Sequence, residues 1–433
     1  PNENQLPPQA RIPDGETADS LRMLAKDIAH LDGRVDRIRR SGRVVPAATA
    51  DRLADLIAEE RDLVERTPQV LATASVEPRA VRFLPRGDWR SDEGPIVHPD
   101  VPEFLPDMQV TGRRPDRLDL ADWLVSDENP LTPRAFVNQL WRQYFGTALS
   151  RRAGDFGVQG EWPTHPQLLD WLAAEFVGSG WNVKHVVRLI VTSGTYRQSS
   201  AATETLLQRD PENRLLARQS RFRLPAEIVR DNALAVSGLL NRSVGGESVK
   251  PYQPEDYWTD IQTFGETGPA AEWTATEGPD QYRRGLYTYW KRSFLHPTLK
   301  AFDASTRQHS VAMRSTSNTP RQGLALLNDP IFVEAARVFA QRILEEGGSA
   351  DEARIRFAVR TAVARAPSAA EIGTLTGLLE RQRTRYGADP EAAREAIEQG
   401  QFPIPESVDA PELASWMAVG RAVLNLHETI TRY

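Results

Sequence analysis

Apolar side chains recur at intervals of three and four residues along most of this chain, and this spacing constrains its fold more than any other feature. In the first such stretch they occupy the a and d positions of nearly three heptads, at Leu21, Leu24, Ile28, Leu31, Val35 and Ile38. A second stripe follows a break at 41–46, at Leu53, Leu56, Ile57, Leu63 and Val64. The short connection favours an antiparallel helical hairpin in which each stripe covers the other. A coiled coil that binds a partner is the alternative.

The same spacing dominates from Arg117 to the end of the chain. It predicts helices near 117–124, 136–145, 168–176, 183–191, 211–240, 329–344, 351–365, 368–386 and 411–431. Residue types that start helices accompany several of these stripes, at Thr132-Pro133, Thr164-His165-Pro166 and Asp210-Pro211. The run from Ser368 to Glu371 is a capping box.

Two segments, 76–114 and 242–318, break this pattern because they are rich in proline, glycine and aromatic residues. Alternating aromatics predict one strand at 283–292. The predicted fold is therefore mainly α: a multi-helical domain with an N-terminal antiparallel helical hairpin and one or two small β pairs in irregular segments. The predicted divisions are an extended arm at 1–16, the hairpin at 17–75, an extended connector at 76–114, and a helical domain at 115–433 with an irregular insert at 242–318.

Composition excludes several classes of site and partner. The 433 residues include no cysteine, so this chain cannot itself form disulfides, iron–sulfur clusters, cysteine-ligated zinc or c-type haem attachments. Its net charge of −6 does not favour nucleic acid or an anionic membrane. No apolar run approaches the roughly 20 residues of a membrane span. The seven histidines form no pair at metal-binding helical spacing, so no metal site is predicted. The first residues do not have the pattern of a secretion signal, so export would require a signal outside this sequence.

Motifs for a catalytic nucleophile or a phosphate-binding loop are absent from the sequence. The candidate acid–base residues are Asp155, Glu161 and His165, which share one glycine-rich loop, and Asp303 further along the chain. A carboxylate and an imidazole that meet in such a loop can act as a general base. The alternative is that these polar groups cap the helix that begins at Pro166.

Arginine and aromatic residues cluster between 282 and 314. The candidate binding residues are Arg292, Arg307, Arg314, Tyr287, Tyr289 and Trp290. Alternation along a strand would place Tyr287 and Tyr289 on one face and Trp290 and Arg292 on the other. Such a surface suits a carboxylate, a sulfated sugar or the acidic patch of a partner. The alternative is a network of arginine and aspartate side chains that pins the irregular segment to the helices.

A series of motifs between residues 129 and 432 resembles the DUF1553 (PSD1) family, a domain of unknown function that is abundant in planctomycetes. The motifs are the helical stretch 129–200, Pro251-Tyr252-Gln253-Pro254 with Trp258, the run 282–292, Phe302-Asp303-Ala304, Leu326 to Pro330 and the closing stretch 424–432. The resemblance covers about residue 115 to 433. The chain departs from the family pattern at Ser305 and Ser310, where relatives often have proline and cysteine, and this favours a structural role for that loop.

The resemblance implies a setting more than a reaction, because no catalytic mechanism is established for that family. Its larger members often carry a DUF1549 domain and a planctomycete cytochrome c-like domain. The resemblance therefore implies an extracytoplasmic, for example periplasmic, location, no cofactor within this chain, and protein partners that include haem-bearing ones. The first hypothesis is a structural or interaction module of a larger assembly associated with c-type cytochrome modules. The alternative is an enzyme or binding protein that acts on an anionic polysaccharide through a cleft of arginine and aromatic residues.

Overall fold

The computed structural model describes residues 9–73, 76–253, 257, 273–290 and 295–432. Within these residues the chain forms fifteen α-helices and three two-stranded antiparallel sheets. The predicted mainly α class with an N-terminal hairpin is confirmed. The chain divides into two compact units, Pro1–Asp100 and Val101–Tyr433, and the division falls inside the predicted connector. Among the described helices, none has the length and apolar character needed to cross a membrane.

The first unit contains the helical hairpin. Helix α1 (Gly15–Arg40) begins where the Asp14 carboxylate accepts a hydrogen bond from the Thr17 N–H at 2.8 Å, and α2 (Ala47–Arg66) packs against α1. The predicted stripes lie at the contact: Val35 and Leu56 are buried, and the other heptad positions of α1 are half-buried. Two short sheets complete the unit, one formed by β1 (Gln9–Arg11) and β2 (Gln69–Leu71), the other by β3 (Val81–Arg82) and β4 (Ile96–Val97).

The second unit begins with four helices: α3 (Arg117–Leu124), α4 (Leu131–Phe145), α5 (Pro166–Gly178) and α6 (Val183–Thr192). The last three pack around a first apolar core, because their periodic apolar faces meet. Its members include Val137, Trp141, Phe145, Leu172, Phe176 and Ile190. Helix α4 ends at Phe145 and is capped by Gly146, which has a left-handed backbone (φ 73°). Gly146 packs directly on Phe222, and a Cβ on this glycine would lie 2.7 Å from the Phe222 side chain.

A larger second core occupies the rest of the second unit. The short helix α7 (Glu204–Arg209) precedes it, and the helices of the core are α8 (Ala226–Ser237), α9 (Pro297–Ala301), α10 (Pro320–Asn328), α11 (Pro330–Glu346), α12 (Asp351–Val363), α13 (Ala369–Ala388), α14 (Pro390–Ile397) and α15 (Ala410–Leu424). Helix α11 packs between α8 and α15 and is buried on nearly all sides, as expected for a helix that is apolar around most of its circumference. The predicted capping box is present at the start of α13, where Ser368 and Glu371 bond to each other's backbone N–H groups.

The helices predicted near 211–240 are wrong in the first half of that range. Short turns and irregular backbone occupy 211–221, β5 (Phe222–Arg223) pairs with β6 (Thr431–Arg432), and α8 begins only at Ala226. The physical reason is local. The Asp210 carboxylate accepts the backbone N–H groups of Arg214 and Leu215 at 2.7 and 2.8 Å, which closes a turn in place of the first turn of a helix.

The strand predicted at 283–292 is also wrong over its described part. Residues 283–290 contain a 3₁₀ turn at Gly285–Tyr287, directly after another at Gly278–Tyr282. Gly285 lies so close to α8 that a Cβ would be 2.8 Å from the Glu227 carbonyl oxygen. The backbone therefore follows the surface of α8, and an alternating strand does not form. Trp258, Lys291 and Arg292 lie outside the described residues.

Candidate functional site

Asp303, one of the predicted acid–base residues, holds a loop together. Its carboxylate accepts hydrogen bonds from the N–H and hydroxyl of Ser317 at 2.7 and 2.8 Å. The Arg223 guanidinium lies 3.6 Å from the same carboxylate and also donates to the Ser317 carbonyl oxygen and to Gln322 Oε1. Asp303 itself has a left-handed backbone, φ 63°, which aspartate tolerates better than most residues. The carboxylate is therefore committed to intramolecular bonds.

Two predicted arginines of the binding cluster also have partners within the chain. The Arg307 guanidinium carbon lies 3.9 Å from the centre of the Trp290 ring, a cation–π distance. Arg314 Nη1 forms an ion pair with Glu227 at 2.7 Å. The third predicted arginine, Arg292, lies outside the described residues. Arg307 therefore contacts the Trp290 ring, and Arg314 pairs with a carboxylate of α8.

The two predicted tyrosines differ in their environment. The Tyr287 hydroxyl accepts the Gly245 N–H at 2.8 Å, and the Arg283 guanidinium lies 3.9 Å from the centre of the Tyr287 ring. That hydrogen bond lowers the pKa of Tyr287. Tyr289 is 37% exposed and packs edge-on against Trp273 at 6.0 Å. Because of the 3₁₀ turn, the two tyrosines do not share a strand face.

Two charged residues of α8 bind the backbone of the segment that carries these aromatic residues. Arg230, 3% exposed, donates to the carbonyl oxygens of Gln281 and Arg283 at 2.7 and 2.6 Å. Asp231 accepts the Gly285 N–H at 2.6 Å. Burial lowers the pKa of Arg230 to about 10 and raises the pKa of Asp231. The sequence analysis offered, as an alternative, a network of arginine and aspartate that attaches the irregular segment to the helices. Such a network is present, but its charged side chains, Arg230 and Asp231, belong to α8.

The glycine-rich loop does not bring its polar side chains together. Asp155 Oδ1 accepts the Gly157 N–H at 2.9 Å, Glu161 forms an ion pair with Arg214 at 2.7 Å, and His165 Nδ1 lies 3.1 Å from the Thr164 hydroxyl. The helix-capping alternative is not seen either, since α5 has no side-chain cap bond at its start. Within the described part of the chain, no hydrogen bond or ion pair joins any two of the four predicted acid–base residues.

A histidine that the sequence did not single out lies in the larger core. His296 is 5% exposed and its Nε2 lies 2.8 Å from the Tyr252 carbonyl oxygen. Burial lowers the pKa of His296 to about 4, so the imidazole is neutral near pH 7. No set of three or more metal-binding side chains is found in the ranges that the structure describes.

A cleft of about 400 Å³ lies at the end of α4, beside α7 and the turns at 210–222. We call it the Arg218 cleft, after the buried arginine in its lining. Asn213, Gly146 and Phe222 line it as well. None of these residues was a candidate in the sequence, because the stretch that contains Asn213 and Arg218 has helical apolar spacing and was predicted to be a helix. Only the turn made by Asp210 brings the two side chains into one cleft.

Comparison with known proteins places the second unit in a family. The model of the family described as PSD1, protein of unknown function (DUF1553), matches residues 116–379. The chain belongs to this family. No curated protein and no solved structure matches the chain. The match begins at the cap of α3 and ends within α13, so the PSD1 region includes Asp303, the aromatic segment and the Arg218 cleft, whereas the helical hairpin and α15 lie outside the match.

Proposed function

We propose that this PSD1-family chain is a structural and interaction module of a larger extracytoplasmic assembly, and that its first unit contacts the partner. One observation carries the proposal: the described residues of that unit expose most of their large apolar side chains. In the ranges 9–73 and 76–100, Val35 and Leu56 are the only buried hydrophobic residues. The exposed ones are Ile12, Met23, Val44, Ile57, Val70, Leu71, Val76, Val81, Phe83, Leu84, Trp89, Ile96 and Val97.

The most exposed apolar side chains of this unit include two that lie near the β3–β4 ribbon. Phe83 is 58% exposed and Trp89 is 80% exposed, and both lie between the two strands in sequence. A two-stranded ribbon alone is marginally stable in water, and contiguous exposed apolar surface is typical of interaction sites. Full burial of one large apolar side chain contributes about 1.5–3 kcal/mol. A partner that covers Phe83 and Trp89 would therefore stabilise this unit.

The nature of the partner is inferred from the family resemblance. Larger relatives often carry cytochrome c-like domains, which supports a haem-bearing protein as one member of the assembly. The cysteine-free sequence is compatible with an oxidising compartment. The predicted acid–base residues that make bonds within the fold, Asp303 and Glu161 among them, give this proposal further support over a catalytic one.

Site-specific photo-crosslinking in the producing organism tests this proposal. A photo-crosslinking amino acid is placed at Phe83 in one variant and at Trp89 in another. Both variants are expected to crosslink to the same partner protein, with a fixed number of partner molecules for each copy of this chain. The matched control carries the crosslinker at Glu395, an exposed polar position of α14. Haem staining of the crosslinked band, together with its visible absorption, identifies a c-type cytochrome.

Three results would argue against parts of the proposal. Recovery of the chain as a monomer with no specific crosslink from either position contradicts the interaction module. A crosslinked product made only of this chain shows self-association in place of a larger assembly. A specific partner that lacks haem supports the interaction module but contradicts its association with cytochromes.

The alternative function, an enzyme or binding protein that acts on anionic polysaccharide, stays a prediction. Among the described residues, the guanidinium of Arg307 and the ring of Trp290 contact each other, and Arg314 is paired with Glu227. No observed contact favours this alternative over the interaction module.

A further inference from the structure

The Arg218 cleft contains a buried positive charge that no described carboxylate pairs with. Arg218 is 7% exposed, and its Nη2 donates to the carbonyl oxygens of Asp210 and Pro211 at 3.0 and 2.9 Å. Its Nη1 is buried and has no partner within the described residues. The two nearest carboxylates in sequence bond elsewhere: Asp210 to backbone N–H groups of its own turn, and Glu212 to Arg151 at 2.7 Å. A buried guanidinium without a counter-charge is unfavourable, so an anion in the cleft would complete this site.

The same cleft contains an acceptor atom to which no described residue donates a hydrogen bond. Asn213 is 8% exposed, and its Nδ2 donates to the Arg218 carbonyl oxygen at 2.8 Å and to the Ser220 hydroxyl at 3.2 Å. These two bonds fix the orientation of the amide, and Oδ1 is left buried and without a partner among the described residues. The backbone of Asn213 is left-handed, φ 52°, a conformation found often at binding sites. A ligand hydroxyl would satisfy this oxygen.

We propose that the Arg218 cleft binds a small hydroxy acid, whose carboxylate accepts a hydrogen bond from Arg218 and whose hydroxyl donates one to Asn213. Phe145 and Phe222 provide an apolar wall for the carbon chain. The volume of about 400 Å³ is within the range of small-molecule sites. Both unpartnered atoms are buried in the free protein, so the side chains that cover them must move apart for the ligand to reach them. Sulfate fits less well because it has no proton to donate to Asn213.

Four probes of matched size or charge test this ligand class on the full chain by isothermal titration calorimetry. D-gluconate has six carbons, a carboxylate and hydroxyl groups; sorbitol keeps the hydroxyls without the charge, hexanoate keeps the charge without the hydroxyls, and sulfate is the inorganic anion. We expect gluconate to bind and sorbitol to bind at least about tenfold more weakly, because sorbitol loses the charge-assisted hydrogen bond to Arg218. Hexanoate and sulfate lose the neutral hydrogen bond to Asn213 and are expected to bind several-fold more weakly than gluconate. Absence of gluconate binding up to about 10 mM, a concentration well above the weak end of specific binding, overturns the proposal. Equal binding of sulfate, or of hexanoate, overturns the assigned roles of the hydroxyl and Asn213.

Two variants locate the site. Arg218→Gln is expected to weaken gluconate binding by about tenfold or more, and Arg188→Gln on α6 removes the same charge from outside the cleft lining and leaves binding unchanged. Because Arg218 also holds the turn at 210–211, a second variant, Ala202→Trp, fills the cleft without removing those bonds. It is expected to abolish binding while the melting temperature stays near that of the wild type. Gluconate binding that survives Ala202→Trp would place the ligand elsewhere and overturn the proposal.

Discussion

Glu334 and Arg337 lie one turn apart on α11 and hydrogen-bond to the same residue, Phe402. Glu334 Oε1 accepts the Phe402 N–H at 2.7 Å, and Arg337 Nη2 donates to the Phe402 carbonyl oxygen at 2.6 Å. Both side chains are fully buried, at 0% and 1% exposure, and the two charged groups lie 3.8 Å apart. This pair ties the loop after α14 to the centre of the larger core.

Loss of either charge should therefore destabilise the fold strongly. Glu334→Gln leaves a buried guanidinium without a counter-charge, and Arg337→Met leaves a buried carboxylate in the same situation, so each is expected to cost about 3–5 kcal/mol of unfolding free energy. The double variant removes both charges and should lose clearly less than the sum. Urea unfolding of the four proteins measures this cycle. Additive losses would mean that the two charges do not compensate each other.

The close contact between Gly400 and Glu334 gives a second prediction. Gly400 has φ 97°, and a Cβ at this position would overlap the Glu334 side chain. Gly348 is the matched control, because it has φ 88° and its nearest neighbour, Ala353, is 3.7 Å from a built Cβ. Alanine at either position costs about 1–2 kcal/mol of backbone strain. Gly400→Ala should lose at least about 2 kcal/mol more, since it also displaces a buried charge. Equal losses in thermal or urea unfolding would contradict the contact.

Acid should destabilise the protein partly through Glu371. Hydrogen bonds from Arg365 and then from Ser368 lower the pKa of Glu371 from 4.5 to about 2. A carboxylate with a depressed folded-state pKa stabilises the fold above its unfolded-state pKa, and this contribution is lost as pH falls from about 4.5 toward 2. We expect the drop in melting temperature over this window to be smaller in Glu371→Gln. Glu380→Gln, on the same helix but without an ion pair in the described residues, should behave as the wild type. An unchanged drop in Glu371→Gln would exclude this source of acid sensitivity.

Asp303 and Ser317 should behave as one structural unit. Asp303→Ala removes the hydrogen bonds from the N–H and the hydroxyl of Ser317 as well as the contact with Arg223, and is expected to cost about 1–3 kcal/mol. Ser317→Ala removes only the hydroxyl bond and is expected to cost about 0.5–1.5 kcal/mol, so the double variant should lose little more than Asp303→Ala alone. Asp155→Ala is the control among the predicted acid–base residues, because it loses a bond only to the N–H of Gly157 in its own loop, and should cost less than about 1 kcal/mol. Guanidinium unfolding curves give all four values. A neutral Asp303→Ala would reopen a catalytic role for this carboxylate.

Local sequence signals predicted most of the helices correctly. The a and d stripe of α1 and the capping box at Ser368 act over three or four residues, so spacing alone identifies them. The same reasoning failed at 211–221, where the carboxylate of Asp210 replaces the hydrogen bonds of a first helical turn. It failed at 283–290 because Gly285 fits against α8. In both cases a competing bond or contact overrode the apolar periodicity.

The site was harder to predict than the fold. Sequence grouped Arg307 and Trp290 correctly as neighbours, but it could not show that they would contact each other. It named Asp303 as a candidate acid–base residue and left a network of arginine and aspartate as the alternative, and the structure shows Arg223 and Ser317 at this carboxylate. The sequence did not predict that Asn213 and Arg218 line a cleft, since an isolated asparagine or arginine in a helical pattern does not indicate one.

The sequence by itself determined the helical class, the hairpin, the capping box at Ser368 and the membership of the PSD1 family, because each depends on residue types at short spacing or on motifs in a set order. Only the tertiary structure decided which charges are paired and which are left over. Arg230, Arg223 and Glu334 find their partners across large separations in sequence. Arg218 finds no carboxylate among the described residues, and such an outcome depends on how distant segments meet in three dimensions.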